Sequence, residues 1–255
     1  MRVSRPISRP LSHSLTHSLG GLGVALDPLQ SIVTQLFSAG EQGAIYIPRP
    51  VVNGAQALFQ DSAGTVPVTA DGDPVGRMLD QSGNGNHAVQ TVSGSRPVYR
   101  TDGTLHWLQG NGVNAELIDT TPYRVDSVFA AATLEVNDDI VVGLGDGNRQ
   151  AAFLFAIDIF LQNLTNISTS FNASSSARVL SGQFANNSFI RVDGQESKTT
   201  NLTSISGIKR IGKRNSPSTF TNGKLFGLLL IDKTLSISEI EKTENYLASL
   251  SGVTL

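Results

Sequence analysis

The segment Asp80-Gln81-Ser82-Gly83-Asn84-Gly85-Asn86-His87 constrains this chain more than any other, because eight consecutive residues carry the chemistry of a tight corner. Gly83 and Gly85 can take positive φ without steric cost, and Asn84 and Asn86 tolerate left-handed backbone and bond their own main chain. Val75 to Leu79 before it and His87 to Val92 after it read as short strands. Strand, polar corner and strand in succession predict antiparallel β-structure.

The pattern continues from about Gly43 onward, with strands expected at Ala44 to Ile47, Val66 to Thr69, Leu105 to Gln109, Val128 to Val136, Ile140 to Leu144, Ala151 to Phe160, Ser188 to Val192 and Leu225 to Ile231. Turn residues separate them at intervals typical of a two-sheet sandwich, and no alternation of strand and helix points to a parallel sheet. Composition agrees: the hydrophobic share is 39%, the charged share only 16%, and Gly, Ser, Thr and Asn are abundant. One helix is expected at the end. Ser238, with Glu241 at the capping-box offset, starts it, Ile240, Leu247 and Leu250 share one side, and Gly252 closes it.

Ahead of this body, residues 4 to 19 hold a four-residue pattern: Ser4-Arg5-Pro6-Ile7, Ser8-Arg9-Pro10-Leu11, Ser12-His13-Ser14-Leu15 and Thr16-His17-Ser18-Leu19. Two prolines deny it a helix, and apolar pegs at every fourth residue do not build a strand with one buried face. Such a segment buries too little apolar surface to order itself, so it is either a disordered tail or ordered by lying on a partner, and the regular apolar pegs favour an extended docking arm. Arg5, Pro6, Ile7, Arg9, Leu11, Leu15 and Leu19 are the docking residues. Asp27 and Pro28 then open a short helix with Leu29, Ile32, Val33, Leu36 and Phe37 on one face, ended at Gly40, and that face packs either on the body or on a neighbouring subunit. The organisation is an arm over 1–26, a linking helix over 27–42 and a β-domain over 43–255.

Charge sets limits on partners. Net charge is −2 and no cysteine is present, which gives no electrostatic case for nucleic acid or an anionic membrane and excludes disulfides and thiolate metal sites. Three arginines in the arm are few for a phosphate-binding tail, and the apolar pegs would be superfluous there. No apolar core of signal-peptide length is visible, and the run Leu225 to Ile231 is too short to span a bilayer.

Three places in the body resemble the concanavalin A-like, laminin G-like jelly-roll superfamily. They are the Asp80 to His87 corner, Phe189-Ile190-Arg191-Val192-Asp193-Gly194 with its D-G hairpin, and Gly223 to Ile231 leading into Leu235-Ser236-Ile237-Ser238-Glu239-Ile240. The resemblance implies an all-β, two-sheet antiparallel jelly-roll sandwich with a C-terminal helix. Leu58-Phe59-Gln60-Asp61, Thr65 to Thr69 and Gly76 to Asp80 further resemble proteins of tailed bacteriophages. That resemblance implies a virion structural protein, assembled in the bacterial cytoplasm as a symmetric oligomer, docked by its arm on a capsid or tail protein and displaying a lectin-like domain. The alternative is a carbohydrate-binding module that reads host surface glycans, with a glycan hydrolase behind both.

Candidate chemistry is thin. The paired carboxylates of sandwich-fold hydrolases are absent as a motif: Glu116 and Asp119 lack the spacing, Asp158 has no acidic neighbour, and Asp138 and Asp139 read as turn residues. No Gly-x-Ser-x-Gly elbow exists, and His13, His17, His87 and His106 lack partners for a triad. No catalytic residue and no cofactor are therefore expected. Calcium is the superfamily's usual ion, and Asp80, Asn84 and Asn86 are the weak candidate ligands, with a structural Asx turn as the competing reading. For sugar binding, Trp107 reads as core, on the face opposite His106 and Leu108, and Tyr46, Tyr99 and Tyr123 are undistinguished alternatives. The Asn-x-Ser/Thr sites at Asn163, Asn166, Asn172, Asn186 and Asn201 read as polar surface positions.

Overall fold

A computed structural model of the chain describes residues 27–133, 139–145, 151–155, 159–163, 165–168, 176–184, 188–200, 204–213 and 220–255. The arm residues, together with Asp138 and Asp158, lie outside them. Two antiparallel sheets face each other, one of eight strands and one of nine. The eight-stranded sheet runs Gln195–Thr200, Ser188–Val192, Arg178–Gln183, Ser127–Thr133, Lys224–Ile231, His106–Gln109 and Val98–Thr101. Its eighth strand, Gly43–Tyr46, pairs with residues 228–231 of Lys224–Ile231, while His106–Gln109 pairs with residues 224–225. The fold is the all-β sandwich expected from the strand spacing.

Lys224–Ile231 shows why the sequence there is a continuous apolar run rather than an alternation. Leu228 and Leu230 enter the core between the sheets with Val128, Ala130, Leu180 and Ile190. Phe226, Leu229 and Ile231 point the other way, into a second core closed by two helices, so both faces of the strand are dry. The first helix, α1 (Pro28–Phe37), begins at Asp27, whose Oδ1 accepts from the Leu29 and Gln30 amides at 2.9 and 3.3 Å. It lays Leu29, Ile32 and Leu36 on the sheet, which settles the linking helix's apolar face as part of the body.

The second helix, α2 (Ile237–Ser251), starts two residues before the expected place. Both Ser236 and Ser238 have a Glu three residues on, and packing chooses between them. With Ser236 as N-cap, Leu235 before it and Ile240 inside it both enter the helix-side core as a hydrophobic staple, and Glu239 Oε2 accepts from the Ser236 amide at 2.8 Å. A start at Ser238 would set Ile237 against Lys242 instead. Gly252 ends α2 in the left-handed conformation.

Three further expectations are corrected. Val66 to Thr69 forms only an isolated bridge at Pro67, with Val66 exposed, because proline cannot donate to a ladder. The apolar run from Ala151 to Phe160 is two strands, Ala151–Phe155 and Ile159–Asn163, paired as a hairpin with Phe153 opposite Leu161. Asp139 begins a strand, Asp139–Leu144, rather than sitting in a turn.

Candidate functional site

The Asp80 corner is bound to the start of the fold. Asp80 Oδ1 accepts from the amides of Ile45 at 2.9 Å and Ser82 at 2.8 Å. Its Oδ2 accepts from Ser82 Oγ at 2.8 Å and the Asn86 amide at 3.1 Å. Asn84 and Asn86 turn their Nδ2 donors, rather than their oxygens, toward the Gly43 carbonyl at 3.1 and 2.7 Å. Gly83 and Gly85 take φ of 95° and 77°, as the turn chemistry requires. Both oxygens of Asp80 are thus engaged by the corner and Asn84 and Asn86 anchor it through their donors, and no group of three or more His, Cys, Asp or Glu able to hold a metal occurs among the described residues. His87 Nδ1 accepts from the Asp80 amide at 3.1 Å, and burial, with Arg77 nearby, holds its pKa below the usual imidazole value.

Behind the corner lies a buried polar cluster. Tyr46 donates to the Asn86 carbonyl at 2.5 Å and sits 3.2 Å from Asp119 Oδ2, and burial first, then Tyr123 and Asp119, pushes its pKa well up. Lys209, opposite Asp119 in the sheet, donates to the Thr121 carbonyl and lies 3.1 Å from the centre of the Tyr123 ring. Burial lowers its pKa to about 8 against the pull of Asp119. Glu116, just before the strand Leu117–Asp119, is ion-paired with Arg210 at 2.7 Å and Lys213 at 3.5 Å. Neither carboxylate is left over to face a substrate.

The aromatic residues singled out from sequence are not surface platforms. Tyr46, Tyr99 and Tyr123 are 0%, 3% and 5% exposed. Tyr99 holds His106 Nδ1 at 2.6 Å. Trp107 is half-buried on the helix-side face against Phe226, with Lys224 Nζ 4.7 Å from its ring centre, while Leu108 faces the inter-sheet core as the alternation required.

A different tyrosine borders an open cavity. Tyr246, on α2, walls a hollow of about 180 Å³ whose other polar borders are Asp27, Arg49, Asn53 and Ser249. Each is placed by local sequence. Asp27 is the α1 N-cap. Arg49 stands between Pro48 and Pro50, which stiffen it in an extended segment. Asn53 and Gly54, at φ 49° and 78°, form the primed turn of the hairpin Val51–Val52 to Ala55–Gln56. Ser249 donates to the Tyr246 carbonyl at 2.6 Å, one turn back along α2. Burial pushes the Tyr246 phenol well above its ordinary pKa, so it stays a neutral hydroxyl. On its other side Tyr246 borders a shallower groove of about 360 Å³ between the two helices, lined also by Ile32, Gln35, Lys242 and Asn245. Aromatic surface beside amide, hydroxyl, carboxylate and guanidinium groups suits a polyhydroxylated ligand.

The fold is an all-β, two-sheet antiparallel sandwich with a C-terminal helix. No family model matches the chain, and no curated protein matches it. Among solved structures it is similar to domain 4 of AbnA, an extracellular arabinanase of Geobacillus stearothermophilus in complex with arabinotriose. That match has 12% identity and TM-score 0.52 and covers 63% of this chain and 89% of that one. It is similar also to the Trypanosoma rangeli sialidase at 14% identity and TM-score 0.53, covering 89% of this chain but only 39% of the sialidase. A botulinum neurotoxin type C structure, whose cell entry depends on two ganglioside molecules, matches at 12% identity and TM-score 0.50, over 83% of this chain and 52% of that one. At these identities the likeness is one of fold. No helix among the described residues is long and apolar enough to cross a membrane.

Proposed function

We propose that this protein is a glycan-binding module, with the hollow between the α1 N-terminus, α2 and the Arg49 to Asn53 segment as its sugar site. The observation that carries the reading is Tyr246, an aromatic side chain set beside Asn53, Ser249, Arg49 and Asp27 at a cavity of about 180 Å³. That volume is below the range of about 300–1,000 Å³ usual for drug-sized ligands and suits a single sugar ring. The fold supports the reading as well, since solved relatives of the sandwich include a domain holding arabinotriose and a toxin that interacts with gangliosides.

The isolated protein is expected to bind a subset of oligosaccharides on a glycan array. Tyr246→Ala should weaken that binding by ~10- to 100-fold, the worth of a lost aromatic contact and its hydroxyl bond, while the protein stays folded. An array with no bound glycan, or a Tyr246→Ala variant that binds like the parent, would sink the assignment.

A second reading is favoured by the regular pegs of residues 4–19. On it, residues 1–26 anchor the module on a phage particle through Pro6, Ile7, Leu11, Leu15 and Leu19, with Arg5 and Arg9 alongside. Deleting residues 1–26 is expected to leave thermal unfolding and glycan binding unchanged and to abolish incorporation into particles, scored by immunoblot of purified virions. Normal incorporation of the truncated chain contradicts the anchor.

A further inference from the structure

Among the described arginines, every side chain but that of Arg49 makes at least one hydrogen bond or ion pair. Among the described residues, Arg100, Arg124, Arg178, Arg191 and Arg210 each meet a carboxylate within 3.0 Å. Arg77 and Arg96 donate to carbonyls at 3.3 Å. Arg49 has no side-chain hydrogen bond or ion pair, although it is only half-exposed and borders the Tyr246 cavity. Its donors stay open to water at the cavity mouth, so a carboxylate entering there would meet them with charge-assisted hydrogen bonds.

Charge around the site points the same way. The charged side chains lining the hollow and the adjoining groove are Asp27, Arg49 and Lys242. Asp27 already spends one carboxylate oxygen on the α1 amides, where its charge also answers the positive end of the helix. Lys242 is exposed and, like Arg49, has no ion pair among the described residues. Two unpaired cations against one engaged carboxylate make the lining net positive, although the chain as a whole carries a charge of −2. The local excess therefore belongs to the site and is not an echo of overall composition.

We infer that the Tyr246 cavity is selective for an acidic sugar, binding a carboxylate on Arg49 while the next ring of the chain extends along the groove toward Lys242. This rests on the glycan-binding reading above and adds its ligand class. Arginine suits a carboxylate because its planar fork offers two parallel N–H donors, where lysine offers only a point charge. Asn53, Ser249 and the Tyr246 hydroxyl are left for the ring hydroxyls.

The test uses the full chain, an oligomer of a hexuronic acid, and the same oligomer after reduction of its carboxyl groups to alcohols, titrated by calorimetry. The uronic acid oligomer is expected to bind ~10- to 100-fold more tightly than its reduced form, the range of one to two charge-assisted hydrogen bonds. Arg49→Gln should lower affinity for the uronic acid oligomer to that for the reduced form, so that the difference is erased, and Arg49→Lys should restore only part of it. A sulfated neutral oligomer serves as a further arm: if it matches the uronic acid, recognition is of any anion and the carboxylate assignment fails. Equal affinity for the acidic and reduced forms overturns the acidic-sugar inference and leaves the glycan-binding module standing. Absence of binding to every oligomer, here and on the glycan array, overturns both. Because Arg49 makes no contact within the fold that its loss would orphan, unchanged thermal unfolding of Arg49→Gln separates a binding defect from a folding one.

Discussion

Asp80→Ala is expected to lower the unfolding free energy by ~3–5 kcal/mol, because one carboxylate satisfies three backbone amides and a hydroxyl in a buried corner. Alanine leaves the Ile45, Ser82 and Asn86 amides without an acceptor, and each buried orphan costs ~1–3 kcal/mol, less whatever water recovers as the corner loosens. The damage would not stay local. Ile45 lies in the strand Gly43–Tyr46, which pairs with the central strand Lys224–Ile231, so the corner holds an early strand against a late one. Asp80→Asn separates the parts: its remaining oxygen can keep the Ile45 and Ser82 amides, while its NH₂ group faces the Asn86 amide donor to donor. About half of the alanine effect is expected for it, ~2 kcal/mol. Urea unfolding followed by fluorescence of Trp107 measures both. An alanine variant within 1 kcal/mol of the parent, about the worth of a single ordinary hydrogen bond, would mean that the corner does not tie these strands together.

That corner also shows how far sequence reasoning reaches in this chain. Its turn was legible because glycine and asparagine answer to local backbone geometry, and the same holds at Asp193 and Gly194, whose φ of 48° and 78° make the expected hairpin after Ser188–Val192. The destination of the side chains was not legible, because Asp80 bonds Ile45, 35 residues away, and Asn86 bonds Gly43, 43 residues away. The proposed sugar site was harder still. It is assembled from residues 27, 49, 53, 246 and 249, which no local period links. The two available signals were small: an Asn-Gly pair that specifies a primed hairpin turn at Asn53, and an arginine enclosed by two prolines. Tyr246 reads from sequence as one more helix residue. Only the packing of α2 beside the start of α1 turns it into a wall. The tyrosines that sequence did bring forward belong to the core because strand alternation states which residues share a face but not which face is covered.

A second buried acid carries the other large effect, and here the sign depends on which partner is removed. Glu244, on α2 and 1% exposed, accepts from Ser181 Oγ at 2.5 Å and from Arg191 Nε and Nη2 at 2.9 and 3.1 Å. Arg191 and Ser181 stand opposite each other on neighbouring strands of the eight-stranded sheet, so the carboxylate locks the helix to two strands at one point. Glu244→Ala strands a guanidinium that is itself buried and retains only the Gly194 carbonyl at 2.6 Å, and a loss of ~3–5 kcal/mol in unfolding free energy is expected. Glu244→Gln keeps the shape and one acceptor but not the charge, and should fall between alanine and parent. The informative variant is the double one. Replacing Arg191 by Met and Glu244 by Leu removes both charges and their desolvation cost while filling the same space with apolar atoms, so most of the single-variant loss should return. Recovery to within ~1 kcal/mol of the parent would identify the pair as a device that fixes where α2 sits rather than as a net source of stability. That placement is what the proposed glycan site depends on, since Tyr246 lies two residues beyond Glu244 on the same helix. The double variant should therefore recover stability more fully than glycan affinity. A variant that recovers both equally would show that apolar packing alone positions Tyr246.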